Sequence, residues 1–302
     1  MTYEELLKQL IDKDDRFMVL TAENRAAIRN LPNQIGDKFI DTGITEQTMI
    51  GVAAGLALRG RIPIAHALAS FLTMRAFEFI RTDVGIGNLP VKLVGGFSGF
   101  LSEANGPTHQ AIEDISIMRG IPNVNIFCPA DEEDMLIGLR KILESDSPFY
   151  IRYNNLKQSI GHSNNFEIGK AEKISEGKNV TILVYGILLK QAVEAKEILE
   201  QKGLSVGLIN LRTVKPIDED AIKNAARNTK LIVTLEDHFL TGGLFSIVAE
   251  MFLKNKFVCD VLPIALNDKW FKPALINDVL EYEGFTGKKI AEKIDRRFLM
   301  IK

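Results

Sequence analysis

Short apolar runs alternate with longer amphipathic stretches along the chain. The apolar runs predict buried strands, and the stretches between them, with apolar positions three or four residues apart, predict helices. Predicted strands lie at 17–20, 62–68, 91–97, 123–127, 149–153, 180–185, 205–211, 230–235 and 258–265. Predicted helices lie at 71–83, 109–120, 132–145, 188–202, 217–228, 244–254 and 287–299. This alternation is typical of mostly parallel sheets with helices on both faces, so the predicted fold is α/β with two doubly wound domains.

A polar stretch at 154–178 interrupts this pattern and contains few apolar residues. Domain boundaries fall in exposed polar segments of this kind. We therefore predict a first domain at 1–160, a linker at 161–178 and a second domain at 179–302. Within the second domain, KPID at 215–218 predicts the start of a helix with proline at its first position.

The stretch 41–60 places an acidic residue where burial is expected. A turn at Gly43 leads into a helix that is uncharged from Met49 to Leu58 and carries Glu46 in its first turn. A helix without charges should be buried on most of its surface. A carboxylate at the mouth of such a helix needs a partner or a proton. The alternative is that Glu46 only complements the positive N-terminus of the helix.

Two glycines, Gly51 and Gly55, lie one turn apart in the same helix. Each costs a helix interior about 1 kcal/mol relative to alanine, so their presence indicates close packing against another helix. The sequence leaves open whether that helix belongs to this chain or to a partner.

A second candidate site lies in the polar loop 98–108 and its continuation, NGPTHQ at 105–110. Pro107 stiffens the loop, and His109 is predicted to open a helix whose N-terminal dipole keeps the imidazole neutral. A neutral histidine beside a cleft can exchange protons near pH 7. A purely structural histidine would fit the same pattern. The other titratable cluster, EDH at 236–238, is interpreted as a solvated turn or an interface loop.

Composition narrows the class of protein. The chain has 302 residues, of which 46% are hydrophobic and 25% charged, and its net charge of −2 offers nucleic acid no basic surface. Cys128 and Cys259 form no CxxC pair, so no disulfide or zinc framework is expected. The first residues predict an acidic amphipathic helix rather than a signal peptide. No apolar run reaches the roughly 18 residues of a membrane span, so a cytoplasmic location without membrane contact is expected.

Several catalytic motifs are absent from the sequence. It contains no GxSxG, no HExxH, no Walker loop and no GxGxxG after a strand. Interpretations as a serine hydrolase, a zinc protease, an NTPase or a dinucleotide-binding enzyme therefore have no support.

Seven segments taken together resemble the C-terminal half of transketolase. They are GITEQ at 43–47, SFLTMRAFEFIR at 70–81, NGPTHQAIEDISIMR at 105–119, IFCPAD at 126–131, FYIRY at 149–153, VKPID at 214–218 and EDHFLTGG at 236–243. The resemblance covers nearly the whole chain, and GPTHQ with its IEDI continuation is specific. It implies a pyrimidine-binding domain for thiamine diphosphate, followed by a transketolase C-terminal domain. Deoxyxylulose phosphate synthases and the beta subunits of 2-oxo acid dehydrogenases share this architecture.

The resemblance also implies roles at the cofactor. Glu46 matches the glutamate that hydrogen-bonds N1′ of the aminopyrimidine ring. Phe71 matches the aromatic residue that stacks on that ring, with Leu68 and Met74 as neighbours, although a phenylalanine of the core is the alternative from the residues alone. Glu23 lies where the family usually has an aspartate near the cofactor.

Substrate recognition is expected to differ from that of the family. His109 matches the histidine that contacts the carbonyl or hydroxyl end of the substrate, and Arg152 matches an arginine that grips the sugar phosphate. Asn105 replaces an aspartate that binds donor hydroxyls, Phe97 replaces a histidine that helps bind phosphate, and Ala27 aligns near a phosphate-binding serine. The resemblance thus implies intact cofactor chemistry with an altered donor or acceptor sugar.

The diphosphate and Mg²⁺ site of the superfamily contains a GDG sequence, which the chain lacks. We interpret the chain as one subunit of a split transketolase, in which an N-terminal-half subunit supplies the Mg²⁺ ligands, most simply in an α2β2 tetramer. The expected reaction moves a two-carbon ketol unit from a ketose to an aldehyde sugar. One alternative is a 2-oxo acid decarboxylating, acyl-transfer subunit like deoxyxylulose phosphate synthase or a dehydrogenase beta subunit. Another alternative is a non-catalytic assembly subunit.

Overall fold

The computed structural model describes residues 1–301. Its strands are β1 Phe17–Thr21, β2 Phe39–Asp41, β3 Ile62–Leu68, β4 Lys92–Gly96, β5 Asn125–Phe127, β6 Phe149–Arg152, β7 Glu172–Ser175, β8 Val180–Val184, β9 Val206–Asn210, β10 Thr213–Lys215, β11 Leu231–Phe239 and β12 Asp260–Leu266. Its α-helices are α1 Tyr3–Lys13, α2 Pro32–Ile35, α3 Glu46–Leu58, α4 Phe77–Phe79, α5 Asp114–Arg119, α6 Glu132–Leu143, α7 Leu189–Gln201, α8 Glu219–Asn228, α9 Leu244–Lys254, α10 Ile276–Glu283 and α11 Gly287–Met300. Two π-helical turns, Phe71–Arg75 and Ile80–Gly85, flank α4.

Two sheets form the centres of two domains. The first sheet has the strand order β10-β5-β6-β4-β3-β1-β2, and the second has the order β12-β11-β8-β9-β7. Neighbouring strands are parallel except for β10 with β5 and β7 with β9. The predicted fold class, α/β with two mostly parallel sheets, is confirmed.

Local sequence explains several of these elements. Thr2 and Glu5 form a capping box at the start of α1, in which each side chain accepts a hydrogen bond from the backbone amide of the other. Strands β1 and β8 are buried at every position. Helices cover both faces of each sheet, so these central strands consist of continuous apolar runs rather than alternating ones.

The predicted linker at 161–178 contains a strand. β7 lies inside it and extends the second sheet by pairing with β9. Its sequence, EKIS, is mostly polar because an edge strand has little of its surface buried. In addition, β10 of the second domain pairs with β5 of the first sheet. The two domains are therefore joined by backbone hydrogen bonds as well as by the connecting segment.

Two predictions in the second domain are wrong. The helix expected at 215–218 begins later, at Glu219, and the Asp218 carboxylate caps it by accepting a hydrogen bond from the Ala221 amide. The EDH cluster at 236–238 is no solvated turn, since β11 runs through it and its residues are at most 1% exposed. Their side chains face the first domain and helix α9 instead of water.

The strand order of the first sheet reverses beside β1. The chain passes outward from β1 to β2 and then returns to place β3 on the other side of β1. Ligands of open α/β sheets bind outside the carboxyl ends of the strands at such a point. The segments that follow β1, β3 and β4 carry Glu23, Phe71 and Phe97, so the fold brings these predicted site residues to one edge.

A buried ionic cluster links the domains on another side. His162 Nε2 lies 2.9 Å from Asp131 of the first domain, and His162 Nδ1 lies 2.9 Å from Glu172 on β7. Arg212 pairs with Asp134 at 2.6 Å and with Glu172 at 2.9 Å. Burial alone would lower the pKa of His162, but its hydrogen bonds to the two carboxylates outweigh burial and raise the pKa to about 10. His162 is therefore positively charged at neutral pH.

This cluster should make stability fall in alkaline solution. Between the pKa of about 6.5 in the unfolded chain and about 10 in the folded chain, only the folded state keeps the proton. The stabilisation is thus complete below the lower value and is lost toward the higher one. Urea unfolding of the wild type and of His162→Gln from pH 6.5 to 10 should show their difference in unfolding free energy shrinking by up to about 1.4 kcal/mol per pH unit. A difference independent of pH would contradict the charged His162.

Candidate active site

Glu46 is the first residue of α3, and its side chain is 2% exposed. Arg75, at the end of the π-helical turn after β3, donates a hydrogen bond of 2.8 Å from Nη1 to Glu46 Oε2. The buried acid therefore has the partner that its burial requires. Among residues 1–301, no hydrogen bond reaches the other carboxylate oxygen, Oε1.

A short series of contacts links Glu46 to His109. The Arg75 guanidinium that pairs with Glu46 lies over the Phe71 ring, 4.1 Å from its centroid, in a cation–π contact. The Phe71 ring packs in turn against the His109 imidazole, with centroids 5.1 Å apart and planes at 58°. Three residues predicted from separate motifs thus lie in one site, with Arg75 as the link.

The π-helical turn sets the spacing of this site. Phe71 and Arg75 are its first and last residues, and such turns are rare and often found at functional sites. Leu68 is half-buried at the end of β3, and Met74 is 39% exposed on the turn itself. Both predicted neighbours therefore lie close along the chain to Phe71, on an edge that is open to solvent.

Glu23 lies near the segment that leads into α3, the helix that begins with Glu46. It is exposed, adopts a left-handed conformation with φ of 67°, and donates its amide hydrogen to Asp41 at a distance of 3.2 Å. Together with Arg25, Gly43 and Ile44, these residues line an open recess just before α3. Its carboxylate is therefore available to a ligand at the entrance.

His109 lies in a turn, not at the start of a helix as predicted. Its amide donates a hydrogen bond of 2.9 Å to the Gly106 carbonyl, and α5 begins only at Asp114. The expected effect of a helix dipole on this imidazole is therefore absent. Instead, the Thr108 hydroxyl lies 2.8 Å from His109 Nδ1 and fixes the ring against its aromatic neighbour. Asn105 is exposed at the edge of the same turn.

A cavity of about 200 Å³ lies at the carboxyl ends of β1, β3 and β4. Phe97 lines it from a left-handed conformation with φ of 59° and is 38% exposed. Apolar walls come from Ala26, Ala27, Leu101 and Leu156. Polar groups come from Asn24, His66, Glu103, Tyr153 and Asn155. The cavity therefore combines apolar surface with hydrogen-bonding groups.

The charges of this cavity follow from two groups. His66 lies 3.2 Å from the Leu20 carbonyl through Nδ1 and 2.8 Å from the Tyr3 hydroxyl through Nε2, and burial lowers its pKa to about 4. His66 is therefore neutral near pH 7. Burial raises the pKa of Glu103, the one carboxylic acid of the lining. Neither Lys nor Arg lines the cavity among the described residues.

Arg152 does not reach this cavity, so its predicted role as a phosphate ligand is corrected. Its side chain is 5% exposed, and its guanidinium binds Asp114 through two hydrogen bonds of 2.8 Å and Asp237 through one of 2.6 Å. These carboxylates occupy the fork that a phosphate would need. The next residue, Tyr153, lines the cavity instead, because successive side chains at a strand point to opposite faces.

Replacing this arginine should destabilise the protein. Arg152→Met leaves Asp114 and Asp237 buried without their counter-charge, which should lower the free energy of unfolding by about 3–5 kcal/mol. Urea denaturation followed by circular dichroism measures the loss. The matched variant Arg140→Met, on the exposed side of α6, should change stability by less than about 0.5 kcal/mol. Equal stability of the two variants would restore Arg152 as a surface ligand.

One face of α3 is open, contrary to the prediction that the helix is mostly buried. Thr48 and Gly55 are exposed, Leu58 is 74% exposed, and Ile44 just before the helix is 67% exposed. A Cβ atom added at Gly51 or Gly55 would meet no atom within 4 Å. The glycines therefore pack against no helix within residues 1–301. An exposed, uncharged helix face is typical of an interaction surface.

The chain matches two family models. One is described as "Transketolase, pyrimidine binding domain" and matches residues 1–158, and the other is described as "Transketolase, C-terminal domain" and matches residues 169–290. The chain belongs to the transketolase family. This family depends on thiamine diphosphate, and its members are transferases.

Two curated relatives have nearly the same extent as this chain. The 6-deoxy-6-sulfo-D-fructose transketolase subunit SqwH of Clostridium sp. (strain MSTE9) is 37% identical over 96% of this chain and 91% of its own length. A putative transketolase C-terminal section of Methanocaldococcus jannaschii is 35% identical over 97% of this chain and 93% of its own length. By contrast, 1-deoxy-D-xylulose-5-phosphate synthase of Dictyoglomus thermophilum, 35% identical, matches 97% of this chain with only 49% of its length.

Solved structures agree with this family. A chain described as "Split gene transketolase, inactive beta4 tetramer" superposes with a TM-score of 0.89 at 32% identity, covering 99% of this chain and 98% of that one. Transketolase from Pichia stipitis in complex with sedoheptulose 7-phosphate gives a TM-score of 0.79 at 18% identity, covering 98% of this chain and 45% of that one. The second likeness concerns the fold alone. No helix among residues 1–301 is long and apolar enough to cross a membrane.

Two site residues were not predicted as such. Arg75 lies four positions after Phe71 in a largely apolar and aromatic stretch. A cation in such a stretch was the one sequence signal that could have identified Arg75 as a site residue. Tyr153 follows Arg152, and the face of the first sheet to which each side chain points decides which of the two meets the cavity. The sequence pattern alone does not contain that register.

Proposed function

We propose that this chain is one subunit of a thiamine diphosphate-dependent transketolase that transfers a two-carbon ketol unit from a ketose to an aldehyde sugar. Activity requires a partner subunit that resembles the N-terminal half of transketolase and carries the diphosphate and Mg²⁺ ligands. The simplest assembly is an α2β2 tetramer. The observation that carries the proposal is the series of contacts from Glu46 to His109, which groups an acid, an aromatic ring and an imidazole.

Two observations support the partner. The uncharged face of α3 is open to solvent directly beside the buried Glu46, so the site is exposed where a second chain could cover it. A similar solved chain is described as a split-gene transketolase in an inactive beta4 tetramer. Self-assembly without activity in that protein agrees with a subunit that needs a different chain for catalysis.

The described residues fit the aminopyrimidine end of thiamine diphosphate. Glu46 has one carboxylate oxygen without a hydrogen bond and would bind N1′ of the ring, while Phe71 with Leu68 and Met74 would flank the ring. When bound, the cofactor supplies the electron sink for cleaving a carbon–carbon bond beside a carbonyl. Arg75 would hold the Glu46 carboxylate in place through its 2.8 Å hydrogen bond.

His109 would exchange a proton with the carbonyl or hydroxyl oxygen of the substrate. Its Nδ1 is engaged by the Thr108 hydroxyl, which leaves Nε2 for the substrate. Proton transfer by a positioned imidazole contributes roughly 10²- to 10⁴-fold to a rate. The contact with Phe71 would place this imidazole near the cofactor ring.

A second candidate function is decarboxylating acyl transfer from a 2-oxo acid. It is favoured by the likeness to 1-deoxy-D-xylulose-5-phosphate synthases, which are up to 37% identical to this chain. Release of CO₂ from pyruvate by the assembled enzyme would identify this reaction. Transfer of a ketol unit without CO₂ release would identify transketolase.

The decisive experiment uses this chain with its partner subunit. Alone, the chain should bind negligible thiamine diphosphate and Mg²⁺ by calorimetry, and the mixture should bind both. Glu46→Gln should still assemble but lose roughly 10²-fold or more of its activity, because the amide lacks the acid function that proton transfer needs. Glu197→Gln, an equivalent change on the exposed face of α7, should keep full activity.

Two results would refute this assignment. Tight cofactor binding by the chain alone would refute the split site. Retained activity in assembled Glu46→Gln would remove Glu46 from its role. Size-exclusion chromatography of each mixture separates a failure to assemble from a failure in catalysis.

The cavity supports a substrate whose far end carries no negative charge. It lies beside the loop of His109 and is lined by amides, a neutral imidazole, a phenol and apolar groups, with Glu103 as its one carboxylic acid. A phosphate or sulfonate group would face the Glu103 carboxyl there, and within residues 1–301 no Lys or Arg lines the cavity. Phe97, which the resemblance aligns with a phosphate-binding histidine of the family, and Ala27, which it aligns near a phosphate-binding serine, are part of this lining. We therefore propose an unphosphorylated ketose or aldose as one substrate.

Glu103→Gln should relax this preference in the assembled enzyme. Removing the carboxylate should raise kcat/KM for a phosphorylated or sulfonated ketose roughly tenfold, since like charges repel strongly when partly desolvated. The value for the uncharged ketose should change less than about twofold. Glu144→Gln, at the exposed end of α6, removes the same charge elsewhere and should change neither. A wild type that prefers the anionic ketose would contradict the neutral substrate.

A further inference from the structure

The loop 97–112, which follows β4, has little support of its own. Its ends meet where the Gly99 amide donates a hydrogen bond of 2.9 Å to the Ala111 carbonyl, and the segment between them contains a 3₁₀ helix, Gly99–Asn105, that is kinked at Glu103. Phe97 and Glu103 adopt left-handed conformations with φ of 59° and 42°. Such conformations are strained for residues other than glycine and persist when the surrounding structure imposes them.

The second domain supplies most of that surrounding structure. Phe100, at the base of the loop, is fully buried, and its ring meets Phe271 at 5.4 Å and Phe285 at 4.9 Å between centroids, both edge-on. Farther along the loop, Gln110 Nε2 donates a hydrogen bond of 2.9 Å to the Phe271 carbonyl. One segment of the second domain thus holds the loop at two points.

Asp237 on β11 makes a third attachment. Its Oδ2 accepts a hydrogen bond of 3.3 Å from the Phe100 amide, and its Oδ1 accepts one of 2.6 Å from Arg152. Gly99 has a φ of 56°, and a Cβ atom there would overlap the Asp237 carboxylate, so the loop backbone lies directly on this side chain. The carboxylate therefore connects the loop to the buried arginine of the first domain.

The arginine is itself fixed. Two hydrogen bonds of 2.8 Å bind Arg152 to Asp114 at the start of α5, and the Tyr150 hydroxyl donates a third bond of 2.7 Å to the same carboxylate. Burial would raise the pKa of Asp114, but Arg152 outweighs burial and lowers it. Asp237 thus contacts a rigidly held, charged group on one side and the backbone of the loop on the other.

We propose that the second domain acts in catalysis as a clamp, in which Asp237 is a positioning residue that sets the conformation of the 97–112 loop and thereby the place of His109. Asp237 is buried between the Phe100 amide and Arg152, so it would act through the loop backbone. The inference rests on the proposed function for the role of His109, but the attachment of the loop can be tested without activity.

Hydrogen exchange provides that test. In Asp237→Asn, an amide group replaces the oxygen that accepts the Phe100 hydrogen bond, while Arg152 keeps its pair with Asp114. Amides 99–102 should exchange roughly tenfold faster than in the wild type, the effect of one lost hydrogen bond, whereas amides of β8 should be unchanged. Asp134→Asn removes the other buried acid that pairs with an arginine across the domain boundary and should leave amides 99–102 unchanged. Unchanged exchange of these amides in Asp237→Asn would overturn the proposal.

Kinetics of the assembled enzyme provides a second test of the proposal. Asp237→Asn should lower kcat roughly tenfold or more, because misplacement of a catalytic group by 1 Å can cost about 10²-fold. In a His109→Gln background the same change should lower kcat less than about twofold, since the group that it positions is already lost. An equal loss in both backgrounds would overturn the positioning role. A wild type without transketolase activity would count against the proposed function, and the exchange result would still decide the clamp.

Discussion

One buried arginine determines how the two domains meet. Arg152 belongs to the first sheet, yet it binds carboxylates from both domains, and its charge is buried with theirs. An ion pair in such surroundings is stable only in one geometry, because any displacement leaves a charge without a partner in a medium of low polarity. The Arg152 ion pairs hold α5 on one side and the loop with His109 on the other, and the candidate active site is built partly from that loop. The relative position of the two domains therefore affects the geometry of the candidate site as well as the fold.

The pair of Glu46 and Arg75 also gives a buried charge its partner, but only one of its two side chains is buried. Glu46 is buried, whereas 40% of the Arg75 side chain is exposed, so the pair lies at the border between the core and solvent. A carboxylate at such a border keeps its position through one hydrogen bond and still has an oxygen for a ligand. The Arg152 cluster is enclosed on all sides and suits structural support. Burial of both partners thus distinguishes the supporting ion pair from the one at the candidate site.

The sequence predicted the fold and the buried position of Glu46 well because these depend on local patterns. Apolar runs predicted the central strands, and an acid in an uncharged helix predicted a buried Glu46 with a partner. The errors concern contacts between distant segments. Arg152 and the EDH cluster at 236–238 were interpreted as accessible, since nothing in the residues nearby shows that they face each other across the domain boundary. β7 was missed because an edge strand lacks the apolar run that identifies a central one.

The open face of α3 and the proposed clamp are both compatible with the proposed division of the site between two chains. A ligand site between two chains has its side chains precisely placed only if each chain holds its own side chains rigidly before the chains assemble. Here the second domain fixes the loop of His109, and the π-helical turn fixes Phe71 and Arg75 against α3. Within residues 1–301, a Cβ atom at the half-buried Gly51 or the exposed Gly55 would meet no atom within 4 Å, so a second chain could approach this helix face closely without displacing any of these residues. In the proposed assembly, the rigid groups therefore lie on the side of the site that this chain supplies, and the open face of α3 is the side that a second chain would cover.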